Sequence, residues 1–299
     1  MKEDFKLDFI WIWAHKAWTT WVVNMLKQHP EIFIPNIKEI QFFNDFSHFS
    51  KPSTKRYLKG NNYYKTFFKF ANKKQKLWEF SVSYMNEQLV AERIYKHNSN
   101  IKIIVVLRNP IDRAYSAYFY LKEQLNNSEK SKTFEEAIEK NPIEYLERWK
   151  YYKYLSNYFS IFPKENIKIL FFEDIKFKPE KVLKELCIFL NINNKFKFKN
   201  ISKKSNSSKK RKNIFLSKIL SFLFKTPDFL EKIKLRFITD FIWKLWIRKM
   251  LNKIREKNLQ EYTYPEIDKN TKEKLKKYFI EDIENLEKFL NRDLSHWKK

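Results

Sequence analysis

Residues 8–28, DFIWIWAHKAWTTWVVNMLKQ, decide how the whole chain is read. Phe9 to Trp13 is a short apolar run of the kind that forms a buried strand, and Thr19, Thr20, Val22, Val23, Met25 and Leu26 open an amphipathic helix with two hydroxyls in its first turn. His15 and Lys16 fill the loop between them. A helix N-terminus directs unpaired N–H groups and the positive end of its dipole at whatever lies in front of it, so a lysine and two threonines there make an anion site, with phosphate the obvious guest. One feature of the loop opposes this. Phosphate loops use glycine so that the backbone can approach the oxyanion, whereas tryptophan stands here at Trp13 and Trp18.

Outward from that stretch, IKIIVVL at 101–107 is β-branched and uninterrupted, which predicts a strand buried on both faces as in a parallel sheet. It runs into RNPIDRAYSAYFYLK, where Pro110 suits the first turn of a helix and Arg108 falls at the carboxyl end of the strand, the edge at which open α/β sheets bind ligands. Two readings stand side by side. Arg108 holds a phosphate bidentately with Ser116 as a second donor, or it pairs with Asp112 while Ser116 is a small packing residue. Further along, Thr133 and Glu136 form a capping box for a helix at 134–140, and a helix at about 143–160 is broken in pattern at Arg148-Trp149-Lys150. A strand at Ile167 to Phe172, a loop with Glu173 and Asp174, and a helix from Pro179 to Leu190 follow; a charged helix spans about 271–290. Strands alternating with helices at these crossover lengths predict an α/β fold, a parallel sheet flanked by helices with a helical C-terminal part, in which the strand, anion loop and helix at 8–28 would make a P-loop-like nucleotide-binding core.

The segments between carry less. Residues 28–45 are extended and punctuated by proline, and contain Glu39, either a carboxylate among apolar neighbours suited to a general base or a surface glutamate beside Lys38. LWEFSVSYM at 77–85 has strand or loop character and places Glu79, Ser81 and Ser83 close together. The basic run at 202–212 reads as a mobile loop, or as a clamp over an anionic ligand. Residues 213–256 are helical, apolar and basic at once, read as a core or lid helix pair broken at Pro227, with attachment to a membrane surface as the lesser alternative.

Composition bounds the rest. At 299 residues, without a flexible linker to divide it, the chain is expected to form a single domain over 1–299. Sixty-one basic against 35 acidic residues, a net charge of +26, favour anionic partners, unless they record only a lysine-rich solvated surface. A lone cysteine, Cys187 in VLKELCIFL, excludes a disulfide framework and a cysteine-rich zinc site and reads as a core residue. Charged residues precede the first apolar run, and that run is too short for a secretory signal; a cytoplasmic location is expected. Glycine is the anomaly. Gly60 stands alone where an average chain of this length carries roughly 21, so asparagine must take some of the turn positions that need positive φ.

Four ordered blocks together resemble the sulfotransferases that use 3′-phosphoadenosine 5′-phosphosulfate (PAPS), in their bacterial and glycan-modifying branch. FIWIWAHKAWTTWVVNMLKQHPEIFIPNIKEIQFF is similar to the first strand, the 5′-phosphosulfate loop and the following Lys-Glu-x-x-Phe-Phe segment; VVLRNPIDRAYSAYFY resembles the 3′-phosphate motif. YLERWKYYKYLSNYFSIFPKENIKILFFEDI and YFIEDIENLEKFLNRDLSHW resemble the later blocks. The resemblance implies PAPS as co-substrate, a hydroxyl-bearing acceptor such as a glycan, no metal and no nucleic acid. It implies that His15, Lys16, Ala17, Trp18, Thr19 and Thr20 surround the 5′-phosphosulfate, with Lys16 assisting departure of the sulfuryl group. Arg108 and Ser116 would hold the 3′-phosphate, and Glu39 would deprotonate the acceptor. Departures accompany it: the family's glycines fall on Trp13, Trp18, Trp78 and Trp149, Gln41 stands where histidine is common, and Phe80 where lysine is. A basic nucleic-acid or polyanion-binding protein with a blocked donor site is the alternative, and a kinase-like enzyme a third, against which the loop lacks a hydroxyl directly after a Gly-Lys pair.

Overall fold

The structure is a computed structural model that describes residues 5–13, 19–35, 39–45, 55–124, 128–202, 209–217, 219–220 and 248–299. Its centre is a five-stranded sheet of β1 (Phe9–Trp13), β2 (Ile32–Phe33), β3 (Lys76–Phe80), β4 (Lys102–Leu107) and β5 (Ile167–Phe171), in the order β2-β3-β1-β4-β5 and parallel throughout. The expected parallel α/β sheet flanked by helices is therefore present. β4 is the strand that hydropathy marked most clearly, and Ile103 to Leu107 are all buried, because strands lie on both sides of it and helices cover both faces.

The helices follow their apolar spacing. In α1 (Thr19–Leu26), Trp21, Val22, Met25 and Leu26 are buried, and the Trp21 indole N–H donates to the Ile201 carbonyl at 3.1 Å. The helices α2 (Gly60–Lys65) and α3 (Gln88–His97) precede β4. In α4 (Pro110–Phe119), Asn109 Oδ1 accepts from the Ile111 and Asp112 N–H groups at 2.9 and 3.4 Å, so an asparagine cap and a proline at the first helical position start the helix. The capping box of α5 (Phe134–Lys140) forms: the Glu136 N–H donates to Thr133 Oγ1 at 3.2 Å, and the Glu136 carboxylate reaches back to the Lys132 N–H at 2.6 Å.

The helix expected at 143–160 is two helices, α6 (Pro142–Tyr145) and α7 (Tyr151–Ile161), with the break at Glu147–Trp149 where the pattern faltered. Glu173 and Asp174, read as loop, lie in the first turn of a short helix α8 (Phe172–Phe177), where their charge suits the helix dipole. In α9 (Pro179–Phe189), Val182, Leu183, Leu186 and Cys187 form the buried stripe, and burial pushes the Cys187 thiol up to about 11, as befits a core residue.

The chain divides into two compact units. The first, Met1–Ala114, Asn141–Ser205 and Asp268–Lys299, contains the sheet and the C-terminal helix. The second, Tyr115–Lys140 and Asn206–Ile267, contains an antiparallel pair, β6 (Lys209–Arg211) with β7 (Leu259–Glu261), the helix α10 (Arg248–Lys257) between them in sequence, and an aromatic cluster in which Phe119 stacks on Tyr264 at 4.5 Å. The end of the basic run expected to be loop is thus paired backbone over 209–211, and most of the 213–256 segment lies outside the described residues.

The C-terminal helix, α11 (Lys269–Leu290), buries Leu275, Phe279, Ile283 and Leu286 on one stripe. Asn291 ends it at φ 48°, and with Asn191 and Asn200 it shows how a chain almost without glycine meets its left-handed positions.

Candidate active site at the carboxyl edge of the sheet

Because all five strands are parallel, the segments leaving β1, β3 and β4 emerge on one edge. From β1 the chain turns first to the β3 side and later crosses to β4, so the ends of β1 and β4 flank the topological switch point where open α/β sheets hold ligands. The register of β1 against β4 is irregular between Trp11 and Trp13, a local bulge just before the loop. Thr19 and Thr20 occupy the first turn of α1 beyond it. His15, Lys16, Ala17 and Trp18 lie outside the described residues.

Arg108 follows β4 directly. Its guanidinium lies 4.6 Å over the Phe172 ring, and its carbonyl accepts the Tyr151 hydroxyl at 2.8 Å, which anchors the main chain there to α7. Arg113, one turn into α4, is completely buried, with its guanidinium 3.2 Å from the centre of the Trp149 ring. Burial above all, then the charges of Arg108 and Arg148, pull Arg113 down to about 9, while Tyr151 and Glu144 oppose them. Arg148 pairs with the buried Glu144 at 3.3 Å. Arg108 and Arg148 thus both lie close enough to Arg113 to act on its charge, and the sequence reading missed Arg113 and Arg148, although both stand in the quoted blocks. Ser116 is buried two turns into α4, within the second compact unit.

Glu39 is half-buried with φ 59°, and Gln41 has φ 53°. Between and after them Ile40, Phe42 and Phe43 are buried, with Phe42 stacked on Tyr64 at 4.0 Å. The fully buried acid of this region is Glu79 at the end of β3, only 1% exposed. Its Oε1 accepts from Tyr84 Oη at 2.5 Å, Ser81 Oγ at 2.6 Å and the Gln41 N–H at 3.1 Å, and its Oε2 accepts from Tyr64 Oη. Burial raises the Glu79 pKa and these donors lower it, burial being the larger effect. Through Gln41 the segment carrying Glu39 is fastened to the end of β3, one strand from β1 on the side away from β4. The sequence gathered Glu79 with Ser81, but nothing in local spacing announced Tyr64 or the Gln41 amide as partners.

Among the described residues, no group of three or more histidine, cysteine, aspartate or glutamate side chains is placed to hold a metal ion. Residues 8–257 match the family model described as Sulfotransferase domain. Over 191 residues the chain is 30% identical to heparan sulfate glucosamine 3-O-sulfotransferase 5 of Mus musculus, covering 60% of this chain and 52% of that protein. It is 26% identical over 204 residues to the bifunctional heparan sulfate N-deacetylase/N-sulfotransferase 1 of Caenorhabditis briggsae, covering 62% of this chain and 22% of that protein. The chain thus spans about half or less of the length of these relatives. Among solved structures, a sulfotransferase from Alicyclobacillus acidocaldarius superposes with TM-score 0.67 at 24% identity, covering 99% of this chain and all of that one.

Proposed function

Since the chain belongs to the sulfotransferase family, we propose that it transfers the sulfuryl group of PAPS to a hydroxyl of a glycan or other small acceptor. The observation that carries this reading is the gathering, at one sheet edge, of the α1 N-terminus after β1, Arg108 after β4 and the Glu39 segment fastened to β3. Glu39 takes the acceptor proton as the acceptor oxygen attacks sulfur. The bond from sulfur to the bridging phosphate oxygen breaks, and Lys16 with the N–H groups and hydroxyls of Thr19 and Thr20 neutralises the charge that forms there. The products are a sulfate ester, adenosine 3′,5′-bisphosphate and a proton. Arg108 grips the 3′-phosphate, a role the resemblance also assigns to Ser116.

Two heparan sulfate enzymes among the relatives support a glycan as the acceptor class. A cytoplasmic location is proposed with it; no helix among the described residues is long and apolar enough to cross a membrane. The test is titration of adenosine 3′,5′-bisphosphate into the purified protein, alongside adenosine 5′-phosphate. Preference for the 3′-phosphorylated nucleotide supports the reading. Binding of neither, together with salt-sensitive binding to heparin or DNA, favours the polyanion-binding alternative that the net charge of +26 keeps in view.

A further inference from the structure

We propose that Glu79 is a positioning residue for Glu39: its buried carboxylate holds the main chain of residues 39–43 in the turn that presents Glu39 at the sheet edge. The inference rests on the reading of Glu39 as the base. Its ground is the way this short segment is held. The Gln41 N–H is shared between Glu79 Oε1 at 3.1 Å and Ser81 Oγ at 3.0 Å. The Phe43 N–H donates at 3.2 Å to Tyr84 Oη, whose own proton goes to Glu79 Oε1 at 2.5 Å. Arg56 donates to the Ile40 carbonyl, Arg93 donates to the Phe43 carbonyl at 2.7 Å, and Asn44 Nδ2 donates to Ser83 Oγ at 2.8 Å.

Two left-handed residues that are not glycine, Glu39 and Gln41, stand on either side of Ile40, itself buried. Such conformations persist only where the surroundings over-determine them, and here the hydrogen bonds of the Gln41 and Phe43 amides lead, directly and through Tyr84, to one carboxylate. The chemistry of the group explains why it is an acid. An ionised carboxyl accepts up to four hydrogen bonds and donates none, and four donors meet Glu79: two tyrosine hydroxyls, a serine hydroxyl and a backbone amide. An amide in its place would keep one acceptor oxygen where there were two and turn an NH2 toward the remaining partner, so that a hydroxyl that now donates has to turn its proton elsewhere or the Gln41 N–H, which can only donate, loses its acceptor. Relaxation of that contact frees Gln41, and with it the residue two positions earlier.

The experiment combines a double-mutant cycle on the full chain with amide exchange. Glu79→Gln, Glu39→Gln and the double variant are compared for adenosine 3′,5′-bisphosphate affinity, for turnover from PAPS to a heparan sulfate oligosaccharide, and for exchange at the Gln41 and Phe43 amides. Glu79→Gln is expected to speed exchange at those two amides at least tenfold while Ile104 in β4 is unchanged. It is expected to leave nucleotide affinity within twofold and to lower kcat at least tenfold in the Glu39 background, with no further loss in the Glu39→Gln background. Equal fold-losses in both backgrounds, or unchanged exchange at Gln41, overturn the proposal. Should Glu79→Gln fail to fold, Tyr84→Phe, which removes the hydroxyl under Phe43, carries the same comparison. Full turnover by Glu39→Gln would instead remove the base assignment, and the exchange result would still report on the clamp.

Discussion

Arg108 and Glu39 stand on opposite flanks of the end of β1, one directly after the strand on one side of it in the order and the other in a segment fastened to the strand on the other side. The two side chains should therefore fail differently. Arg108→Ala is expected to weaken adenosine 3′,5′-bisphosphate by about 1.5–3 kcal/mol, the worth of a charge-assisted hydrogen bond, and adenosine 5′-phosphate hardly at all. Calorimetric titration of both ligands checks this, and equal losses would reduce Arg108 to packing against Phe172. Glu39→Gln should lower kcat about a hundredfold or more with little change in nucleotide affinity, as expected of a base that does not touch the nucleotide. A loss confined to nucleotide binding would take it out of the chemistry.

At the scale of elements, the start of α7 is held from outside its own sequence. Asp282, in the middle of α11, accepts from the Tyr152 and Lys153 N–H groups at 3.2 Å each, so one helix caps another. Burial outweighs those donors and lifts the Asp282 carboxyl from 3.8 to about 6. The sign follows from linkage. Between these two values the folded chain keeps a proton that the unfolded chain has released, so stability is lost as pH rises from about 4 to about 6, and the loss is complete above it. Denaturant melts across that range should show the wild type losing up to about 2–3 kcal/mol that Asp282→Asn does not lose. Parallel curves would mean that the group titrates normally. The breaks between α6 and α7 were legible because the apolar pattern falters at Arg148-Trp149-Lys150, whereas this cap was not, since its two halves lie 130 residues apart.

Over the whole molecule glycine is scarce, with Gly60 standing alone. Asparagine meets three of the left-handed positions among the described residues, and Trp78 and Trp149 are buried at positions where the sequence resemblance implies glycine; among the described residues the Trp78 indole N–H has no hydrogen-bond partner. A buried unsatisfied donor costs about 1–3 kcal/mol, and an indole in a phosphate loop obstructs the ligand as well. Bacterial lineages differ in reading UGA as tryptophan or as glycine. Trp13, Trp18, Trp78 and Trp149, with Trp11 as a fifth, are accordingly expected to be encoded by UGA and to be glycine in the source organism. A chain with glycine at the first four should bind adenosine 3′,5′-bisphosphate more tightly than the chain with tryptophan. UGG at those codons, or a native peptide mass that fits tryptophan, would overturn this.

The sequence by itself determined the elements and the class of fold. The run Ile103 to Leu107 has to be a buried strand wherever it is placed, Asn109-Pro110 starts a helix by its own chemistry, and Val182, Leu183, Leu186 and Cys187 select one helix face, because each of these signals depends on neighbours within a turn or two. Motif order placed Arg108 and Glu39 in the same functional reading. Only the tertiary structure decided that β1 lies between β3 and β4, that Arg113 and Arg148 gather near Arg108, and that the buried acid beside the Glu39 segment is Glu79. A carboxylate's surroundings are assembled from separate stretches, here residues 41, 64, 81 and 84 meeting at residue 79, and no local period encodes where those stretches meet.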